Sequence, residues 1–194
     1  MKRIGLFGGT FDPIHLGHLA MAEFARDQLR LEKVMFIPSC LPPHKSQDSV
    51  ASAKDRFQMV RRAVQGNRHF SVSDFEIKKG GKSYTIDTVH YFREVYPPTT
   101  QLFFIIGGDA LNTLRSWRCI DEIFKIITFI VVNRPGYAKK IQGIKYESVI
   151  MPGLDISSSD VRQRVKEGKS IKYFTTDNVE RYIREHRLYQ LSKS

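Results

Sequence analysis

Gly8-Gly9-Thr10-Phe11-Asp12-Pro13-Ile14-His15-Leu16-Gly17-His18 is the stretch of this chain with the most chemistry in it. It follows an apolar run, Ile4 to Phe7, and leads into residues with helical periodicity. Glycines and a threonine at a strand-to-helix turn let backbone amides approach a bulky anion. The start of the next helix adds unpaired N–H groups and the positive end of a dipole. His15 and His18 fall on one face of its first turn and can address the same phosphate. The chemistry this suits is the handling of a nucleoside triphosphate. Two histidines alone also read as a plain helix-start pair, one packed and one solvated; zinc binding is a further alternative, but no third or fourth ligand is suggested nearby, so no metal ligand is assigned.

Further candidates lie downstream. In Ser157-Ser158-Ser159-Asp160-Val161-Arg162, three hydroxyls and the orphan N–H groups of a helix start make an anion cradle. The same residues also read as a plain N-cap followed by a surface arginine. Gly107-Gly108-Asp109 ends a strand-like run; its glycines permit close approach, and Asp109 can either accept from ribose hydroxyls or cap a helix. Trp117, the sole tryptophan, is a core anchor or a stacking surface. His44, Lys45 and Arg134 are cations at expected loops, suited to a phosphate and equally to solvent. Gly80-Gly81-Lys82-Ser83 imitates a phosphate loop, but a P-loop needs glycine where this chain has Glu76, so a turn is expected.

The elements that must position these residues are legible as alternating patterns. Strand character falls at about 2–7, 33–38, 70–75, 102–107, 127–132 and 147–151. Helical spacing covers 16–30, with Leu19, Ala22, Ala25 and Leu29 on one side, and 53–65, with Phe57, Val60 and Val64. Stretches 84–96 and 117–126 follow. This alternation predicts a parallel, doubly wound α/β sheet whose ligands gather at the carboxyl ends of the strands. Two short helices close the chain. Ser157–Ser159 caps the first and Gly168 ends it; the second begins near Thr175-Thr176-Asp177. One domain over 1–194 is expected, with the helices of 157–189 packed on it. Stretch 39–52 reads as a long mobile loop, and 136–146 as a second polar connection.

The 194 residues, 41% of them hydrophobic, suit a single closed core. Basic residues outnumber acidic ones 31 to 20, a net charge of +11. They are dispersed, and Arg61, Arg62, Arg181 and Arg184 are expected on solvated helix faces. Such a field favours phosphate-rich small substrates over nucleic acid. Met1-Lys2-Arg3-Ile4 runs straight into a strand, so neither a signal peptide nor a membrane span is expected. Cys40 and Cys119 are expected to be free and buried, as suits a reducing cytoplasm.

His15-Leu16-Gly17-His18 also resembles the (H/T)xGH signature of the nucleotidyltransferase superfamily, and Ile156 to Arg162 its late ISSTxIR-type motif. Further stretches narrow the likeness: Pro42-Pro43-His44-Lys45, Ser83-Tyr84-Thr85-Ile86-Asp87-Thr88, Phe104-Ile105-Ile106-Gly107-Gly108-Asp109, Ser116-Trp117 and Asn133-Arg134-Pro135-Gly136. Over nearly its whole length the chain is similar to the bacterial nicotinate-mononucleotide adenylyltransferases. That resemblance implies a Rossmann-like, doubly wound parallel sheet flanked by helices, with a short C-terminal helical segment. It also implies transfer of AMP from ATP, accompanied by Mg²⁺, to nicotinate mononucleotide.

By the same resemblance His15, His18 and Arg162 are catalytic. ATP would be held by these three with Gly8, Gly9, Thr10, Phe11, Gly107, Asp109, Ser157, Ser158 and Ser159. The mononucleotide would meet His44, Lys45, Thr85, Trp117 and Arg134, with backbone N–H groups near Thr85 and Trp117 reading the ring carboxylate. Ser159 stands where many relatives carry Thr, and either hydroxyl can donate. A pantetheine-phosphate adenylyltransferase is the nearest alternative, disfavoured by the Trp117 segment, by Asn133 to Gly136 and by length. An RNA-binding domain reusing the fold is the alternative of another class. Neither nucleic acid nor membrane is an expected partner, and a homo-oligomer is left open.

Overall fold

Successive residues of the central strands point to opposite sides of the sheet, and both sides are apolar. The computed structural model describes residues 1–42, 51–133 and 146–190. Its strands are β1 (Arg3–Gly9), β2 (Lys33–Pro38), β3 (Phe70–Val72), β4 (Gln101–Gly107), β5 (Thr128–Asn133) and β6 (Tyr146–Ile150). All pair in parallel, in the order β3-β2-β1-β4-β5-β6. The chain moves outward from β1 to β3 and then returns to β4 on the other side of β1. The resulting switch point lies at the carboxyl ends of β1 and β4, beside Gly9 and Gly107.

Phe103, Ile105, Ile130 and Val132 enter one core with Phe7, Phe36, Met59 and Val60. Their neighbours Phe104, Ile106, Phe129 and Val131 enter the other, with Ile86, Val89, Phe92 and Ile123. Strands buried on both faces read as continuous apolar runs, which is why they were visible in the sequence. The first core lies under α1 (Leu16–Gln28) and α2 (Ala53–Ala63), the second under α4 (Thr85–Val95) and α5 (Ile120–Ile126). No helix among the described residues is long and apolar enough to cross a membrane.

Two expectations need correction. The third strand stops at Val72, and α3 (Phe75–Lys79) follows where strand was expected. Ser73 Oγ accepts the Phe75 N–H at 3.2 Å and the Asp74 carbonyl accepts the Lys78 N–H at 2.8 Å. A Ser-Asp pair thus opens a helix turn and ends the strand. The helix expected from 117 begins only at Ile120, after a 3₁₀ segment, Gly108–Ser116.

The two last helices are α6 (Ser158–Lys166) and α7 (Asp177–Glu185). Ser157 caps α6, its Oγ accepting the Asp160 N–H at 3.1 Å, and Gly168 beyond it takes the left-handed conformation, φ 68°. Val161, Val179, Tyr182 and Ile183 are buried in the same core as α1 and α2. Tyr182 also donates to Asp55 of α2 at 2.8 Å. Arg61, Arg62, Arg181 and Arg184 are exposed, as expected. Both cysteines are free, but Cys40 is only half-buried and Cys119 is exposed. Cys119 sits in a left-handed turn (φ 54°) just before α5, which puts it at the surface rather than inside.

Candidate active site

The loop between β1 and α1 carries most of the expected triphosphate residues, and the C-terminal segment holds it in place. Arg162 Nη1 donates to the Asp12 carbonyl at 2.6 Å, Ser158 Oγ to the Pro13 carbonyl at 2.9 Å and Thr175 Oγ1 to the Ile14 carbonyl at 3.0 Å. The Leu16 N–H donates back to the Phe174 carbonyl at 2.9 Å. A loop without secondary structure thereby has the carbonyls of Asp12, Pro13 and Ile14 and the Leu16 N–H satisfied. The start of α6 is brought against the start of α1, so the two expected anion sites meet although they are far apart in the chain.

His15 is buried at the N-cap of α1, and its ring lies 3.7 Å from that of His18, centroid to centroid. Gly17 permits this, since a Cβ there would stand 3.0 Å from the His15 ring. The His15 backbone N–H donates to His18 Nδ1 at 3.3 Å. His18 therefore carries its proton on Nε2, the tautomer that can donate outward. Burial pushes the His15 pKa down to about 4, against a smaller upward pull from Asp160. Burial, then the neighbouring His15, holds His18 well below the usual histidine range. Both rings are thus neutral N–H donors near pH 7 before any anion arrives.

Two cavities flank the carboxyl edge of β1 and β4, one toward each face of the sheet. The first, about 330 Å³, is lined by His15, Gly17, Met21, Gly107, Gly108, Asp109, Asn133 and Ile156 among others. It brings together the expected Gly107, Asp109 and His15 at the rim from which Ser157 and α6 continue. The N–H groups of Ser158 and Ser159 find no acceptor among the described residues. The hydroxyls are less free than expected: Ser157 Oγ is engaged by Asp160, Ser158 Oγ by Pro13, and Ser159 Oγ accepts from Arg162 at 3.2 Å. What remains for an anion is the helix start itself and the half-buried Arg162.

The second cavity, about 410 Å³, is lined by Gly8, Gly9, Thr10, Ser39, Pro42, Glu76, Ser83, Tyr84, Thr85, Phe104, Ser116, Trp117 and Arg118. Thr85 and Trp117 share it as expected. Gly8, Gly9 and Thr10, expected to share a ligand with His15, line this cavity and not the one His15 lines. Trp117 is wedged edge-on between Phe104 and Phe129, at 6.1 and 6.0 Å. Its backbone N–H donates to the Leu114 carbonyl at 3.1 Å. The Thr85 and Ile86 N–H groups at the start of α4 have no acceptor among the described residues, and the Arg118 guanidinium lies 4.9 Å over the Tyr84 ring beside them.

Other expectations move. Phe11 is buried, its ring 5.1 Å from His18 and 5.5 Å from Phe7. It lines neither cavity and braces His18 rather than offering its side chain to a ligand. His18 is among the lining residues of neither cavity, although it is less buried than His15. Close approach at Gly108 serves the protein itself, because a Cβ there would lie 2.5 Å from Asn133 Oδ1. Ser83 accepts the Cys40 N–H at 2.9 Å, and Gly80 and Gly81 have positive φ, so that segment is a turn. His44, Lys45 and Arg134 lie outside the described residues.

Sequence reading missed Arg56, Glu76, Ser39 and Arg118. Arg56, fully buried, donates to the carbonyls of Ala51 (3.0 Å), Thr10 (2.8 Å) and Cys40 (2.8 Å), pinning both cavity loops. Its signal was available: it shares a helical stripe with Met59, Val60 and Ala63. Glu76 is buried and accepts from Thr88 Oγ1 at 2.5 Å; burial raises its pKa. Ser39 Oγ is buried on the cavity wall without a partner among the described residues.

Residues 6–164 match the cytidylyltransferase-like family profile. A Shouchella clausii protein named "probable nicotinate-nucleotide adenylyltransferase" is 48% identical over 97% of each chain. A Desulfitobacterium hafniense protein of the same name is 45% identical over 98% of this chain and 97% of its own. The structure of Plasmodium falciparum nicotinic acid mononucleotide adenylyltransferase complexed with NaAD superposes with a TM-score of 0.82, covering 97% of this chain and 98% of that one. At 20% identity that likeness speaks for the fold alone. With two cavities meeting at the sheet's switch point, and this identity over nearly its whole length, the chain belongs to the nicotinate-nucleotide adenylyltransferases of the cytidylyltransferase-like family.

Proposed function

We propose that this chain transfers AMP from ATP to nicotinate mononucleotide, giving nicotinate adenine dinucleotide and pyrophosphate, a step of NAD biosynthesis. The observation that carries the reading is the pair of cavities on opposite faces of one sheet edge, with the His15 loop between them. ATP takes the cavity of His15 and Asp109, its ribose at Asp109 and its outer phosphates at the start of α6 and Arg162. The mononucleotide takes the cavity of Trp117, its pyridine ring on the indole and its carboxylate toward the Thr85 N–H and Arg118. His44, Lys45 and Arg134 are assigned to its phosphate on the family resemblance. The free cysteines suit a reducing cytoplasm, where we place the reaction.

The acceptor phosphate is already a nucleophile, so no activating base is needed. One of its oxygens attacks the α-phosphorus, and the bond to the oxygen bridging the α- and β-phosphates breaks, releasing pyrophosphate. The protein's task is to hold two polyanions in line and to offset the growing charge. His18 donates from Nε2, His15 and the first amides of α6 stand beside it, and Arg162 holds the leaving group. A bound triphosphate supplies the counter-charge the histidines lack, so their pKa values rise on binding. Mg²⁺ would neutralise the phosphates. No cluster of three or more His, Cys, Asp or Glu suited to a metal occurs among the described residues; Asp12 and Asp160 are hydrogen-bonded to Tyr189 and Ser157, and Asp109 on the cavity wall is assigned to the ribose. The ion is therefore expected to arrive on the triphosphate.

Pyrophosphate release with ATP and each of three acceptors tests the reading. Nicotinate mononucleotide should be used, and nicotinamide mononucleotide disfavoured by ~10²–10⁴-fold, as expected from two charge-assisted bonds at ~1.5–3 kcal/mol each. Turnover of pantetheine phosphate instead, or only salt-sensitive retention on RNA, would overturn it.

A further inference from the structure

The Asp12 carboxylate is the meeting point of four distant parts of the chain. It is buried, 1% exposed. Its Oδ1 accepts the Tyr189 hydroxyl at 2.7 Å and the Ala51 N–H at 3.1 Å. Its Oδ2 is buried with no hydrogen bond among the described residues and lies 3.7 Å from Arg162 Nη1. Arg162 directs that nitrogen to the Asp12 carbonyl instead, at 2.6 Å, and keeps 28% of its side chain exposed. Tyr189 lies beyond the last helix, in a left-handed conformation (φ 62°) with its side chain against the main core. No motif singled it out.

A buried carboxylate short of donors closes on the nearest cation. That cation is Arg162, and a guanidinium locked to Asp12 cannot also serve a phosphate. We infer that Tyr189 is a positioning residue for ATP: by saturating Oδ1 together with Ala51, it stops Asp12 from capturing Arg162. This rests on the assignment of Arg162 to ATP made above. The C-terminal segment thereby sets how available the phosphate-binding arginine is.

Calorimetric titration of the full chain with MgATP alone, which needs no turnover, is read beside steady-state kinetics. Tyr189→Phe should weaken ATP binding about tenfold, the loss expected when a hydrogen bond to a charged group is removed. The KM for nicotinate mononucleotide should change less than twofold. Adding Asp12→Asn to Tyr189→Phe should restore ATP affinity to within about threefold of wild type, because a neutral amide does not capture a guanidinium. A structural role for Tyr189 would instead be worsened by the second change. Unaltered affinity in Tyr189→Phe, or a loss that Asp12→Asn deepens, overturns the inference. Should Tyr189→Phe melt below the assay temperature, the double variant is expected to fold, since it removes the unsatisfied buried charge; an unfolded double variant also overturns it. A wild type that binds ATP yet turns over no nicotinate mononucleotide would sink the proposed reaction and leave this test standing.

Discussion

Beside His15, the cavity wall is assembled from opposite ends of the chain. Ser158 reaches Pro13, Arg162 reaches Asp12 and Thr175 reaches Ile14 across 145, 150 and 161 positions. Beside Trp117, most of the wall comes from nearer neighbours: Glu76 bonds Thr88, Arg118 covers Tyr84, and Trp117 packs on Phe104. The first arrangement fixes backbone carbonyls with single hydrogen bonds and tolerates little error in position. The second relies on aromatic packing, which spreads its energy over many contacts. The difference teaches where each side should be fragile: the triphosphate side in rate and pH, the mononucleotide side in affinity.

The sharpest break expected is at His18. His18→Ala removes the Nε2 donor and should lower kcat ~10²–10⁴-fold, as for loss of a preorganised donor to developing charge. Steady-state kinetics beside a circular-dichroism melt would check it. A folded variant with near wild-type kcat would remove His18 from the reacting centre.

Next comes pH. His15 is held neutral down to about 4 in the fold, whereas an unfolded histidine takes up its proton near 6.5. Between those values the unfolded chain binds more protons, so stability present above pH 6.5 is lost as pH falls toward 4, by roughly 3 kcal/mol from this residue. Urea unfolding at a series of pH values should show that slope. His15→Gln should flatten it, and an unchanged slope would mean that His15 is not buried neutral.

On the other side, Trp117→Ala should raise the KM for both pyridine mononucleotides ~10–100-fold, since stacking contributes ~1–3 kcal/mol per base. The KM for ATP should hardly move. The preference for acid over amide should survive, because both rings present a similar face. Parallel kcat/KM measurements decide it; an ATP effect of equal size would erase the contrast between the cavities.

The smallest effect expected is at Thr175. Thr175→Val leaves the Ile14 carbonyl without its donor at roughly constant volume, costing about 1–2 kcal/mol. That corresponds to a fall in Tm of about 2–8 °C, with kcat reduced more than the mononucleotide KM if the clamp serves the triphosphate loop. A lower Tm with unchanged kcat would make the clamp purely structural.

Much of this was legible because parallel strands buried on both faces leave apolar runs, and those runs marked all six strands. Helix ends were legible where a residue type enforces them, as Ser157 and Gly168 do for α6. Asp12, Arg56 and Tyr189 were not legible in the same way. Arg56 lies on a helical stripe that periodicity could mark as buried, but its partners, the carbonyls of Thr10, Ala51 and Cys40, come only with the fold. Phe11 looked like part of a ligand turn, and only packing showed that its ring supports His18.

The sequence by itself determined the six strands and the main helices between them, the strand-turn-helix with two histidines, the later serine cap, and through them the family. Local periodicity and capping decide those features within a few residues. Which residues face which cavity was decided by tertiary structure alone. Gly9 and Gly107 end neighbouring strands yet open toward opposite faces, and the Trp117 N–H donates into a 3₁₀ turn that no propensity announced. The partners of Asp12, 39, 150 and 177 positions away, become neighbours only when the sheet and its two cores close. Burial then turns an ordinary aspartate into the point where the chain's two ends meet.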